Sequence, residues 1–207
     1  EKIIYKSKEK RVLADYEKKA LFSSDFEEED RAFVYILYGC GLRKSEALAL
    51  TRECVNIQKG TLTVSQALGY KNNTPYIKEP KSQHGYRTVP IPDIIYPTIR
   101  DYIENLKQDK LFASRTGSWL SKSAYNTRWK RIIRAMQRGT KKPIDGLTAH
   151  VFRHNYCTNL CYQIPTISIK HIAALLGDTE KVVMDVYNHL ILEKEDVESA
   201  LKNAFSL

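Results

Sequence analysis

Apolar residues recur at helical spacing along most of the chain and switch to alternation in one central stretch. The pattern predicts a short helix over residues 13–22. Residues 26–30 are acidic and fit the first turn of a second helix, where negative charge complements the dipole. That helix runs through Ala32-Phe33-Val34-Tyr35-Ile36-Leu37-Tyr38, is apolar nearly all round and therefore buried, and ends at Gly39-Cys40-Gly41. Residues 42–50 predict a third helix with Ala47 and Leu48 inward and Arg43 at its start. From 54 to 92 the period becomes two. Val55-Asn56-Ile57 and Thr61-Leu62-Thr63-Val64 flank a turn at Lys59-Gly60. Tyr76-Ile77-Lys78 and Tyr86-Arg87-Thr88-Val89-Pro90 read as the arms of a second hairpin, with Lys81 at its tip.

Helical spacing then returns. Residues 93–106 put Ile95, Ile99, Tyr102 and Leu106 on one face. Residues 121–137 form a long basic helix whose buried side is Trp129, Ile132 and Ile133. A helix follows Thr148, a residue suited to the N-cap, and is stopped by Pro165. Residues 167–176 give another, closed by Gly177. Residues 179–190 carry Val183, Val186 and Leu190 on one face and Tyr187 on another, and residues 193–205 give a last amphipathic helix. The class expected is mainly α with a small antiparallel three-stranded β-sheet, an α+β domain.

Composition narrows the picture. At 207 residues and 43% hydrophobic, the chain has enough material for one large packed domain or two small ones. No apolar run approaches the ~18 residues of a membrane span, and the start is not a signal peptide, so a cytoplasmic protein without a membrane partner is expected. Residues 1–11 are rich in Lys and Glu and read as a linker remnant or truncation site, leaving 12–207 as the domain. A formal net charge of +9 points to a polyanionic partner, nucleic acid before membrane surface. The four cysteines, Cys40, Cys54, Cys157 and Cys161, lack the spacing of a metal site or a disulfide framework, so reduced thiols and no metal are expected.

Several residues carry chemistry. His150 and Arg153 lie three apart on one helix face, separate from the stripe of Phe152, Tyr156 and Leu160. A guanidinium forks onto two phosphate oxygens and an imidazole moves a proton. A surface arginine beside a satisfied core histidine fits that pair equally well. Arg43 stands where the helix dipole disfavours a cation, which suggests function over stability. Lys81 is either a reachable group at a loop tip or a solubilising lysine. Arg128, Lys130, Arg131 and Arg134, followed by Lys141 and Lys142, add positive charge just before the His150 helix.

Taken in order, Gly41-Leu42-Arg43-Lys44-Ser45-Glu46-Ala47-Leu48, Lys81 ahead of Arg87-Thr88-Val89-Pro90, Leu147-Thr148-Ala149-His150-Val151-Phe152-Arg153-His154, Leu175-Leu176-Gly177 and Tyr187-Asn188-His189 resemble the catalytic domain of the tyrosine recombinases, the phage-integrase family. The resemblance covers roughly residues 13–190. It implies a site-specific recombinase or integrase, encoded by a bacterium or phage, that integrates or excises a mobile element by cleaving and rejoining DNA. Tyr187 would attack the scissile phosphate to leave a 3′-phosphotyrosyl link, which conserves the bond energy. Arg43 and Arg153 would clamp the non-bridging oxygens, Lys81 would protonate the departing 5′ oxygen, and His150 would assist proton transfer. Lys44, Arg87, Arg128, Arg131, Lys141 and His154 are the expected DNA contacts. No cofactor is implied. The implied partners are double-stranded DNA, three further copies in a homotetramer with possible exchange of the C-terminal helix, and an N-terminal DNA-binding domain in the full-length protein.

One position departs from the family pattern. Asp178 stands where His or Trp is usual, and an ionised carboxylate repels a phosphate where those side chains donate to it. The residue could be tolerated, could face away onto a backbone N–H, or could weaken the enzyme. Two alternatives follow: a DNA-binding module with weakened or lost strand cleavage, and a strand-relaxing topoisomerase using the same nucleophile.

Overall fold

A computed structural model describes residues 11–80 and 83–192, the side chains as far as residue 190. Residues 1–10 of the expected linker, Lys81 and the last helix expected over 193–205 lie outside the described residues. Eight α-helices are described: α1 (Asp15–Ser23), α2 (Glu28–Cys40), α3 (Lys44–Ala47), α4 (Tyr96–Asn105), α5 (Lys122–Arg138), α6 (Ala149–Cys161), α7 (Ile169–Leu176) and α8 (Glu180–Leu192). The strands are β1 (Val55–Asn56), β2 (Thr61–Val64), β3 (Ala67–Lys71), β4 (Thr74–Lys78) and β5 (Arg87–Pro90).

The α2 pattern is buried as its sequence requires: Ala32, Phe33, Val34, Ile36 and Leu37 are all fully enclosed. Helix α2 packs on α4 and α6, and Phe33 meets Phe112 edge-on at 5.0 Å. Helix α5 starts under a Ser121 cap whose hydroxyl accepts from the Ala124 N–H at 3.2 Å. Thr148 stands at the N-cap of α6 but its side chain makes no capping bond.

The sheet departs from expectation. β2 pairs antiparallel with β1 and with β5, giving the three-stranded sheet β1-β2-β5. β4, however, pairs with β3 in a separate two-stranded ribbon, Leu68 opposite Ile77. The second hairpin expected between 76–78 and 86–90 therefore does not form. Alternation marks a strand but says nothing of its partner. The third helix also shortens to the four residues of α3.

Two apolar clusters organise the interior. The larger gathers α1 to α5 and the three-stranded sheet, and includes Phe152 of α6. The smaller joins Tyr156, Cys157 and Cys161 of α6 to Ile172, Ala173 and Leu176 of α7 and Val183 and Val186 of α8. Helix α6 therefore stands between them with side chains in both. All four cysteines are buried and free. Among the described residues no helix is long and apolar enough to cross a membrane.

Candidate phosphate-binding site

The site is built where three chain reversals meet. Helix α2 ends at Gly41, left-handed at φ 62°, where a Cβ would come within 2.3 Å of the Tyr156 ring. The turn buries Leu42 and places Arg43 at the head of α3. The Glu46 carboxylate, one turn on, accepts from the Arg43 backbone N–H and from its Nη1, each at 2.9 Å. A cation at a helix start is thus held by an acidic group of the same turn.

Arg153 reaches the same place from α6. Its side chain is 7% exposed, and Nη1 donates to the Gly41 carbonyl at 2.9 Å. Helix α7 ends at Gly177, also left-handed at φ 64°, and the next residue is Asp178. Asp178 Oδ2 accepts from Arg43 Nη2 at 2.9 Å and from Arg153 Nη2 at 3.0 Å. Its Oδ1 accepts from the Thr179 N–H at 3.2 Å. Asp178 neither faces away nor merely neighbours the clamp: it sits between the two guanidinium groups.

A third arginine stands behind these. Arg87, its side chain 5% exposed, donates from Nη2 to Glu46 Oε2 at 2.8 Å, from Nε to the Leu175 carbonyl at 2.8 Å and from Nη1 to the Gly85 carbonyl at 3.1 Å. It joins α3, the end of α7 and the segment leading into β5. A Cβ on Gly177 would come within 2.7 Å of this guanidinium and of the His84 carbonyl, so only glycine lets the turn approach so closely.

The electrostatics follow from burial and pairing. Burial, then the charge of Arg43, pulls the Arg153 guanidinium down to about 10, which leaves it protonated at neutral pH. Burial pushes the Glu46 carboxyl up, but Arg87 and then Arg43 outweigh it and hold the group below its ordinary range. Asp178 behaves likewise: burial raises it, and Arg153 and Arg43 more than compensate. Three guanidinium groups share two carboxylates here, which leaves one positive charge in excess at the opening, suited to a singly charged phosphodiester.

The remaining candidates are placed as follows. Tyr187 is half-buried on α8 against the smaller cluster, and α8 packs on both α6 and α7. His150 is exposed in the first turn of α6, whereas Arg153 is buried, so the two share a helix but not an environment. His154 is half-buried and Lys141 exposed. Lys44 is exposed with its ammonium 4.7 Å from the Tyr125 ring centre.

Three arginines expected as DNA contacts form ion pairs within the chain. Arg87 is enclosed as described. Arg128 is buried against α2, paired with Glu29 at 2.7 Å and Asp30 at 3.6 Å. Arg131 forks onto Asp30 at 2.6 and 2.8 Å and meets Glu27 at 3.0 Å. The charges of Arg128 and Arg131 neutralise the acidic start of α2. Glu46 was not singled out in the sequence, although its i, i+3 spacing from Arg43 was the available signal. Among the described residues no group of three His, Cys, Asp or Glu side chains could hold a metal ion.

The model of the phage integrase family matches residues 3–193. The tyrosine recombinase XerA of Pyrococcus furiosus is 32% identical over 175 residues, 83% of this chain and 54% of that protein. The transposase of transposon Tn916 from Enterococcus faecalis is 24% identical over 204 residues, 90% of this chain and 47% of that protein. The chain thus spans about half the length of the curated relatives it matches. Among solved structures, the Tn1549 transposon integrase in complex with transposon right-end DNA superposes with a TM-score of 0.78 at 22% identity, covering 96% of this chain and 66% of that one. A crystal structure of XerA recombinase gives 0.63 at 21% identity, covering 95% and 62%. At these identities the structural likeness establishes the fold.

Proposed function

The chain belongs to the phage integrase family, and from that premise we propose that it carries the strand-cleaving and strand-joining centre of a site-specific DNA recombinase. The observation that carries this reading is the convergence of Arg43 and Arg153, from α3 and α6, on a single anionic oxygen. Two charge-assisted donors aimed at one point suit the non-bridging oxygens of a phosphodiester, where charge grows in the transition state. Tyr187 serves as nucleophile. Its reference pKa of ~10 makes a positive field useful, and the excess charge of the arginine network supplies one. The phenol oxygen bonds to phosphorus as the bond to the 5′ oxygen breaks. His150 takes part in moving the phenol proton, and Lys81 donates one to the departing oxygen. Neither step calls for a metal or a cofactor.

DNA outside the scissile phosphate meets exposed cations, for which Lys44 and Lys141 are available. Action in the cytoplasm on bacterial or phage DNA, a tetrameric assembly on two duplexes, exchange of a C-terminal helix expected over 193–205, and a separate N-terminal clamp domain belong to the same proposal. They are supported by family membership.

A duplex bearing a nick near the scissile phosphate, which lets the released strand diffuse away, should trap a covalent protein–DNA adduct. Tyr187→Phe should abolish it. Recovery of the adduct from that variant would overturn the assignment of the nucleophile. The second reading, a module that binds DNA without cutting it, draws on the carboxylate seated in the clamp. It expects salt-dependent binding and no adduct at any pH.

A further inference from the structure

We propose that Asp178 is a positioning residue: its carboxylate occupies the seat of a phosphate oxygen between DNA encounters, holds both clamp guanidinium groups aimed at that seat, and yields it when DNA arrives. The proposal rests on the reading that Arg43 and Arg153 bind a DNA phosphate.

Four observations support it. One oxygen, Oδ2, takes a hydrogen bond from each guanidinium at 2.9 and 3.0 Å, the arrangement a phosphoryl oxygen would have. Among the described residues the other oxygen accepts only from the adjacent Thr179 N–H, so the carboxylate stands on its own turn. Its side chain is 26% exposed, so the seat opens to solvent and an incoming anion can reach it. The backbone of the turn is fixed independently, since the Asp178 N–H donates to the Ala173 carbonyl at 3.1 Å. The carboxylate can therefore leave by side-chain rotation while the turn stays in place.

The physical need is plain. Two like charges brought to one point repel, and without an anion between them each side chain gains by swinging apart. Arg153 is already anchored to the Gly41 carbonyl, and Arg43 to Glu46 and, at 3.2 Å, to the Gly177 carbonyl. The carboxylate sets where their free N–H groups meet. Binding DNA then exchanges one anion for another and leaves the donors where they were. The cost is competition: affinity for the phosphate is reduced by whatever is needed to move Asp178 out.

Asp178→Asn tests this, because it keeps the shape and one acceptor oxygen and removes the charge. Inorganic phosphate and nicked duplex are the probes, measured by calorimetry, by binding titration and by single-turnover cleavage. The expected result is binding of both probes about tenfold tighter, the effect of deleting one nearby negative charge. The DNA concentration that half-saturates cleavage should fall with the binding constant, since only the wild-type carboxylate competes with the phosphate for the seat. Asp178→Glu should restore the weaker binding. Asp178→Ala, read alongside its thermal transition, serves if the Asn variant does not fold.

Unchanged or weaker phosphate binding by folded Asn and Ala variants would overturn the proposal. A merely structural role predicts lower thermal stability with weaker binding and slower cleavage together. The two readings fail separately. No adduct from the wild-type chain, with tighter phosphate binding by the Asn variant, removes strand cleavage and keeps the seat. An adduct without the tightening removes the seat and keeps strand cleavage.

Discussion

Arg43 and Arg153 share one acceptor, Asp178 Oδ2, and each has a second anchor that the other lacks: Glu46 for Arg43 and the Gly41 carbonyl for Arg153. The two guanidinium groups therefore hang from different elements and converge at the seat. Replacing either by Ala should lower single-turnover cleavage by about 10²–10³, the usual cost of one donor to a developing negative charge. Replacing both should cost less than the product, because the groups act on one transition state. Quenched-flow cleavage at saturating DNA measures both effects.

Arg87 and Glu46 form an ion pair with side chains 5% and 3% exposed. Arg87→Met leaves the Glu46 carboxylate buried with half its partners. The expected loss is about 3–5 kcal/mol of unfolding free energy, read from denaturant melts. Were Arg87 a DNA contact, the substitution would instead reduce the salt dependence of binding and spare stability.

The salt dependence separates the cations. Lys141→Ala, at an exposed position, should reduce the slope of log affinity against log salt by about 1. Arg128→Met should leave that slope unchanged and lower the melting temperature, because Glu29 loses its guanidinium partner and Asp30 one of two. The same salt series on both variants decides between a binding and a packing role.

Acid should unfold the site by a definite route. The carboxyls of Asp178 and Glu46 are held below their ordinary values of 3.8 and 4.5. Between folded and unfolded values the unfolded chain binds more protons, so stability falls as pH falls. The contribution is fully present above about pH 5 and is lost as the pH drops through the folded values. Melting temperatures taken downward from pH 6 should decline, and Asp178→Asn should flatten the decline.

The helices and the first arginine motif were legible because each depends on local information. Apolar spacing marks α2, α4 and α5, and Arg43 at a helix start is visible as a misplaced cation. What was not legible depends on partners distant in sequence. β4 and β5 read as two arms of one hairpin because both alternate, yet their true partners are β3 and β2. Arg87 and Arg128 read as surface charges because arginine normally is one. Their carboxylates, Glu46 for the first and Glu29 and Asp30 for the second, are far away along the chain. Asp178 was read as an ion that would repel phosphate, and the same charge, seen with two arginines beside it, is what gathers them. Lys81 and the stretch over 193–205 lie outside the described residues.

Helix α6 has its roots in both interior clusters, Phe152 in the larger and Tyr156 in the smaller, while Tyr187 leans on the smaller alone. A modest apolar patch gives way more readily than an extensive one, and regions resting on it open at lower free energy than the body they adjoin. The phenol can consequently be withdrawn or advanced by loosening α8, while Arg43 keeps its bond to Glu46 and Arg153 its bond to the Gly41 carbonyl. For a phenol acting as the proposed nucleophile, how often this thinly anchored helix settles against α6 would set the frequency of attack.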